Sequence, residues 1–318
     1  MGADRPDDAE MPPDEHPDRP PGQNDNGSRP PGSDGPVAET RSRHECYADL
    51  RAAVAAEESV TARRSAAAEQ AATEKWQEKS EESRWMWTEY QRKWPPEERA
   101  PVDRSGDESG SWRGDGNRVL KPADNSQVEA ACDRITDRER DTISPAMRAI
   151  ESQDPDRHLV GIEHRLKGPH RIREKVCDKM EEFGFSAEKA VSSVSDAIRY
   201  TFQYREARYT QGVWADIDRL RDQGFELDKL KNSWSDDQYK GINSQWIEPD
   251  TGQRFEVQFH TRISFEGKQL THDAYERIRT QKADEFEKMV LKAFQGKVSA
   301  EIPVPPGAAD IPDYGREA

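Results

Sequence analysis

The 318 residues exceed one ordinary domain, yet only 32% are hydrophobic and 35% are charged, which excludes a core running through the whole length. The net charge of −15 is uneven, with −7 in residues 1–50 and only −2 in residues 151–300. No long segment therefore has the surplus of Lys and Arg that sequence-independent nucleic-acid binding requires.

Cys46, Cys132 and Cys177 show no paired spacing, which argues against a disulfide frame or a zinc knuckle and suits reduced thiols. The first residues lack a basic-then-apolar signal pattern, and no run approaches the roughly 18 apolar residues of a membrane span. Pro6 also breaks the myristoylation pattern. A cytoplasmic site of action with no membrane partner is expected.

Residues 1–40, dominated by Pro, Gly, Asp and Asn, read as a disordered tail that cannot bury enough surface to offset the entropy of ordering. Residues 41–94 turn to Ala, Glu, Arg, Lys and Gln and predict a long helix stopped by Pro95-Pro96. Its Trp87, Tyr90 and Trp94 fall on one face. That stripe docks either on the chain's own catalytic domain or on a partner such as export machinery. Residues 95–118 read as a linker, and residues 119–298 as the folded domain.

The domain opens with a helical stretch from about Ser126 to Glu151, interrupted near Pro145. Pro169 starts a second helix with Ile172, Val176, Met180 and Phe183 on one face and Gly184 at its end. Alternation at Ile198, Tyr200, Phe202 and Tyr204 predicts a strand, and Val213, Ile217 and Leu220 a helix ended by Gly224. Residues 239–247 are extended in character, and Glu248 to Gly252 carries turn chemistry leading into a strand over Gln253 to His260. The fold class is α+β, a mixed sheet flanked by helices, with a second disordered tail over residues 299–318.

Arg165 and Lys167 precede the helix that starts at Pro169, where free backbone N–H groups already favour an anion. Arg171 and Lys175, one turn apart, extend this into a set of cations suited to a polyphosphate such as that of ATP. Asp196 comes just before the strand carrying Arg199, and Glu256 sits mid-strand among apolar neighbours, where Glu is disfavoured. Two carboxylates on neighbouring strands suit Mg²⁺, which takes one or two carboxylates and leaves its other positions to water and phosphate. His260 and His272 lack a third soft ligand at a familiar spacing, so a hydrogen-bonding role is expected for them rather than zinc ligation.

Together these residues resemble the synthetase domain of the RelA/SpoT family, which makes the alarmone (p)ppGpp by moving pyrophosphate from ATP to the 3′-hydroxyl of GDP or GTP. The family's R-x-K-G-x-x-x-I-x-x-K run is similar to Arg165 through Lys175, and its E-[IV]-Q-[IF]-x-T strand to Glu256-Val257-Gln258-Phe259-His260-Thr261. The resemblance covers roughly residues 157–280 and implies a nucleotidyltransferase-like fold. It also implies ATP binding by Arg165, Lys167, Arg171, Lys175 and Arg199, and catalysis and metal ligation by Asp196 and Glu256. Acceptor binding would fall to Lys231, Tyr239, Asn243, Gln258 and His272.

The family's G-Y-Q-S-L-H segment aligns with Gly241-Ile242-Asn243-Ser244-Gln245-Trp246, so Ile242 replaces the Tyr that stacks on guanine and offers no π face. Some small members of this family resemble toxins that make (p)ppApp or modify the tRNA 3′ end. Guanine nucleotide, adenine nucleotide and tRNA therefore stay open as acceptors, with Lys288, Lys292 and Lys297 as the basic residues a tRNA would meet. A non-enzymatic alarmone sensor is a further alternative. No hydrolase pattern precedes residue 157, which implies an antitoxin or immunity partner, and a homo-oligomer is left open.

Overall fold

The computed structural model describes residues 43–95, 109–279 and 283–315; the expected N-terminal tail and most of the expected linker lie outside them. The chain forms two compact units, residues 1–56 and 57–318, and of the first only the start of one helix is described.

That helix, α1 (Arg43–Lys93), is 51 residues of mostly strong helix formers. Its aromatic stripe packs within its own unit. Trp87 stacks on Tyr90 with centroids 4.8 Å apart and on Phe294 at 5.4 Å. Tyr90 is buried beside Ala274, Ala283 and Leu291, so the stripe covers the chain's own helices. About three turns upstream of Trp87, Trp76 is buried and its indole Nε1 donates to Glu266 Oε2 at 2.7 Å.

The expected linker ends earlier than residue 118. Strands β1 (Trp112–Arg113) and β2 (Val119–Leu120) pair antiparallel, and Trp112 joins the core against the ring of His170. Next come α2 (Pro122–Arg138), a π-turn over Glu139–Ile143 and α3 (Ser144–Glu151), the interruption falling where Pro145 cannot donate a helical hydrogen bond. After β3 (Arg157–Leu159), α4 (Pro169–Phe183) begins on Pro169 and ends on the left-handed Gly184. The chain continues through α5 (Ala187–Ser192), β4 (Arg199–Tyr204), α6 (Tyr209–Asp222), β5 (Glu226–Asn232), β6 (Ile242–Glu248), β7 (Gln253–Thr261), α7 (Arg262–Arg279) and α8 (Glu285–Ala300).

The main sheet has the order β3-β4-β7-β6-β5, with only β4 and β7 parallel, and is the mixed sheet flanked by helices that the alternation predicts. One face is apolar: Tyr200, Phe202, Val257, Phe259, Ile242 and Trp246 are buried there. The π-turn and α6 reach the sheet through polar tips, since the hydroxyls of Tyr200 and Tyr204 donate to Glu139 and Asp216. The opposite face carries Arg199, Asn243, Glu256 and Gln258, as the period of two requires.

Two strands of the main sheet show no alternation in the sequence. β3 has three residues and its Arg157 is buried in an ion pair with Asp216. In β5 a register shift between Leu227 and Lys229 breaks the alternation. The C-terminal segment also departs from expectation: instead of a disordered tail, residues 301–315 pack on the domain, with Ile302 near Gly267 of α7 and residues 308–314 along β5. Ile302 and Ile311 are buried, Tyr314 exchanges backbone hydrogen bonds of 2.8 and 3.0 Å with Leu230, and Asn232 Nδ2 donates to Ala308 and Ile311 carbonyls. A few apolar residues suffice because they cover an otherwise open sheet edge.

Candidate functional site

A cleft of 1610 Å³ opens over the polar face of the sheet, with α4 on one wall and α7 on the other. Single ligand pockets run to roughly 1,000 Å³, so the cleft has space for two nucleotide-sized molecules.

The α4 wall is set by the backbone. Residues Arg165 to Lys167 run beside the start of β4, where Arg199 N donates to Arg165 O at 2.8 Å and Lys167 N to Ala197 O at 2.9 Å. This brings Lys167 against Asp196 (Nζ to Oδ2, 3.0 Å), and Lys175, on the second turn of α4, reaches both oxygens of Asp196 at 2.7 Å. Burial alone would raise the Asp196 carboxyl, but Lys175 and Lys167 outweigh it and hold the group well below the usual carboxylate range. Burial lowers the Lys167 ammonium despite the opposing pull of Asp196.

Arg199 joins Asp196, in the turn before β4, to Glu256 of β7: its Nη2 lies 3.2 Å from Asp196 Oδ2 and its Nε donates to Glu256 Oε1 at 2.8 Å. The same Glu256 oxygen accepts from Gln258 Nε2 at 2.5 Å. Gln258 in turn accepts a short hydrogen bond from Lys268 of α7. Burial first, and then repulsion from Arg199, lower the Lys268 ammonium to about 8.

The residues expected to bind the acceptor also line the cleft. The Tyr239 hydroxyl donates to Asn243 Oδ1 at 2.9 Å and lies 2.8 Å from His260 Nε2; burial and the nearby Glu256 carboxylate raise it far above an ordinary phenol. Lys231 and His272 line the wall, Lys231 beside Asp236 at 3.7 Å. Arg171 is half-exposed, paired with Glu174 at 2.9 Å.

Not every expected residue is brought in. The side chain of Arg165 leaves the cleft and donates to the buried Glu139 at 2.7 Å, because the π-turn presents that carboxylate on the other side of the loop. Ile242 is fully buried opposite Phe259 on the apolar face. His260 is buried and bonded at both ring nitrogens, to Tyr239 and to Ser264 Oγ at 2.9 Å, and burial keeps it neutral. Lys288 and Lys297 of α8 pair with Glu285 and Glu82, and with Lys292 they stand outside the cleft lining. Lys268 and Tyr275 line the cleft without a motif to announce them.

Among the described residues no cluster of three or more His, Cys, Asp and Glu could hold a metal. Asp196 and Glu256 supply two hard oxygen ligands bonded to one guanidinium, a donor set that fits a divalent cation completed by phosphate oxygens and water. No described helix is long and apolar enough to cross a membrane.

No protein-family model and no curated protein matches the chain. Solved structures similar to it include a GTP pyrophosphokinase family protein from Streptococcus pneumoniae, 13% identical over 57% of this chain and 90% of that chain, with a TM-score of 0.39. The small alarmone synthetase 1 from Bacillus subtilis is 11% identical over 55% of this chain and 88% of that chain, with a TM-score of 0.35. The same synthetase bound to its product pppGpp is 14% identical over 51% of this chain and 85% of that chain, also with a TM-score of 0.35.

Proposed function

We propose that the cleft belongs to a RelA/SpoT-like pyrophosphokinase that transfers pyrophosphate from ATP to the 3′-hydroxyl of an acceptor nucleotide. The observation that carries this reading is the array of Lys167, Lys175 and Arg199 around Asp196 and Glu256 in one cleft with space for two nucleotides.

In the proposed reaction Lys167, Arg171 and Lys175 take the ATP phosphates, displacing part of the ion pairing that now engages Asp196. Glu256 accepts the proton of the acceptor 3′-hydroxyl, whose oxygen forms a bond to the β-phosphorus. The bond between that phosphorus and the α,β-bridging oxygen breaks, and AMP leaves with the bridging oxygen. Arg199 and the lysines offset charge that develops on the transferred group. Asp196 and Glu256 are the residues that would hold Mg²⁺, which when bound supplies further charge neutralisation at the phosphate oxygens.

The acceptor is read as a guanine or adenine nucleotide. Ile242 cannot stack on a base from inside the core, so the stacking ring of the family has no equivalent at that position. The test is to incubate the protein with ATP, Mg²⁺ and each of GDP, GTP, AMP, ADP, ATP and tRNA, then separate the products. AMP release coupled to a 3′-pyrophosphorylated nucleotide is expected, and Glu256→Gln should abolish it with the fold intact; undiminished AMP release in that variant rejects the reading. Unopposed synthesis would drain ATP, so induced expression of the wild type, and not of Glu256→Gln, should arrest growth.

A further inference from the structure

The geometry points to Lys268 as a positioning residue that locks the side-chain amide of Gln258 so that it presents its N–H to the base carboxylate of Glu256. This rests on the proposed reaction for its consequence, though not for its geometry.

An ammonium has three donors and no acceptor, so the atom of Gln258 that faces Lys268 is its carbonyl oxygen. The two ends of a planar amide point apart, and Nε2 is then directed at Glu256 Oε1, 2.5 Å away. Arg199 Nε donates to that same oxygen at 2.8 Å. Two donors thus pin Oε1, while Oε2 has no hydrogen bond among the described residues and Glu256 lines the cleft, which leaves the two lone pairs of this oxygen for a hydroxyl proton and for the cation that Glu256 would share with Asp196.

Lys268 is itself held by packing. The preceding Gly267 lets α7 approach so closely that a Cβ there would lie 2.6 Å from Ile302 Cδ1 and 3.3 Å from Trp76 Cη2. Glu266, one residue earlier, is tied to Trp76, and the Lys268 ammonium lies 5.3 Å from the centroid of Phe265. The groups facing it are Gln258, Glu256 and His260 from β7 and Arg199 from β4. Replacing the ammonium by an apolar group leaves the buried Gln258 oxygen without a donor, so the amide turns to find one and releases Glu256.

The experiment compares the full-length wild type with Lys268→Met and Lys268→Arg, reading steady-state kinetics, the urea midpoint, and the ¹H–¹⁵N side-chain amide signals of Gln258, assigned by their loss in Gln258→Leu. Lys268→Met should lower kcat by roughly tenfold to a hundredfold, the scale on which misplaced groups act. KM for ATP and acceptor should stay within about twofold, and the Gln258 signals should move to the positions of a solvent-exposed amide. Lys268→Arg, which can donate to the same oxygen, should restore most of kcat and the native signals. Full kcat with unmoved signals in Lys268→Met overturns the proposal, and so does a loss confined to KM, which would make Lys268 a substrate ligand. If the wild type turns over no acceptor, the pyrophosphokinase reading fails and the amide signals alone decide: unmoved signals in Lys268→Met overturn the lock, and shifted signals restored by Lys268→Arg support it.

Discussion

Arg199 and Glu256 stand opposite each other on the two parallel strands of the sheet, and the guanidinium donates to the carboxylate at 2.8 Å while also reaching Asp196. One cation therefore separates the two carboxylates proposed to serve the reaction. Replacing it by Met leaves two acids facing each other across a polar cleft with less charge to attract phosphate. Arg199→Met should cost about 1–3 kcal/mol of stability. It should also weaken ATP binding at least tenfold, measured by urea unfolding and by titration calorimetry with ATP. Unchanged ATP affinity would remove Arg199 from the phosphate site.

Gly241 has φ of 151°, and a Cβ built on it would lie 2.6 Å from His260 Cε1. The close approach seats His260 between Tyr239 and Ser264, and through Tyr239 it reaches Asn243, proposed to bind the acceptor. Gly241→Ala should destabilise by about 1–3 kcal/mol through strained backbone and a displaced ring. It should raise KM for the acceptor more than KM for ATP, because the disturbance starts at Tyr239. Equal effects on both substrates would place that hydrogen-bond chain outside the acceptor site.

What could be read in the sequence follows from how local its cause is. The helix from Pro169 to Gly184 and the outward turn of Glu256 and Gln258 depend on cap chemistry and on the period of two, both visible in a few consecutive residues. Arg165 belongs to the same basic run as Lys167, yet a carboxylate 26 residues upstream draws it away from the cleft. Lys268 is ten residues from the amide it contacts and shares no motif with it. β5 was hidden by its bulge. The C-terminal segment was hidden because an isolated Ile or Tyr shows no periodicity until a sheet edge receives it.

Asp196 sets an acid limit on stability. Its native carboxyl is pushed up by burial but held further down by Lys175 and Lys167, so the folded form stays ionised below the ordinary value of 3.8. As pH falls through that value, the unfolded chain takes up a proton that the native state does not, and the stabilisation present above it is progressively lost. Urea midpoints between pH 6 and pH 3 should fall more steeply for the wild type than for Asp196→Asn. The variant should also start lower at pH 6, because Lys167 and Lys175 lose their shared partner. Parallel curves would show that the ion cluster contributes no linkage.

Trp76 decides whether the long helix is part of the domain that holds the cleft or an appendage to it. Its side chain is buried, meets the space left by Gly267, belongs to the same core as Ile302, and donates to Glu266, so it clamps α1, α7 and the C-terminal segment at one point. Trp76→Ala should cost about 3–5 kcal/mol, the range for emptying a large aromatic site in a packed core. Trp76→Phe keeps much of the area but loses the N–H donor and should cost about 1 kcal/mol. Because the clamp lies one residue from Lys268, Trp76→Ala should also lower kcat at temperatures well below its own unfolding transition. An unfolding midpoint and a kcat both equal to the wild type would mean that α1 is only tethered to the domain and that α7 is positioned without it.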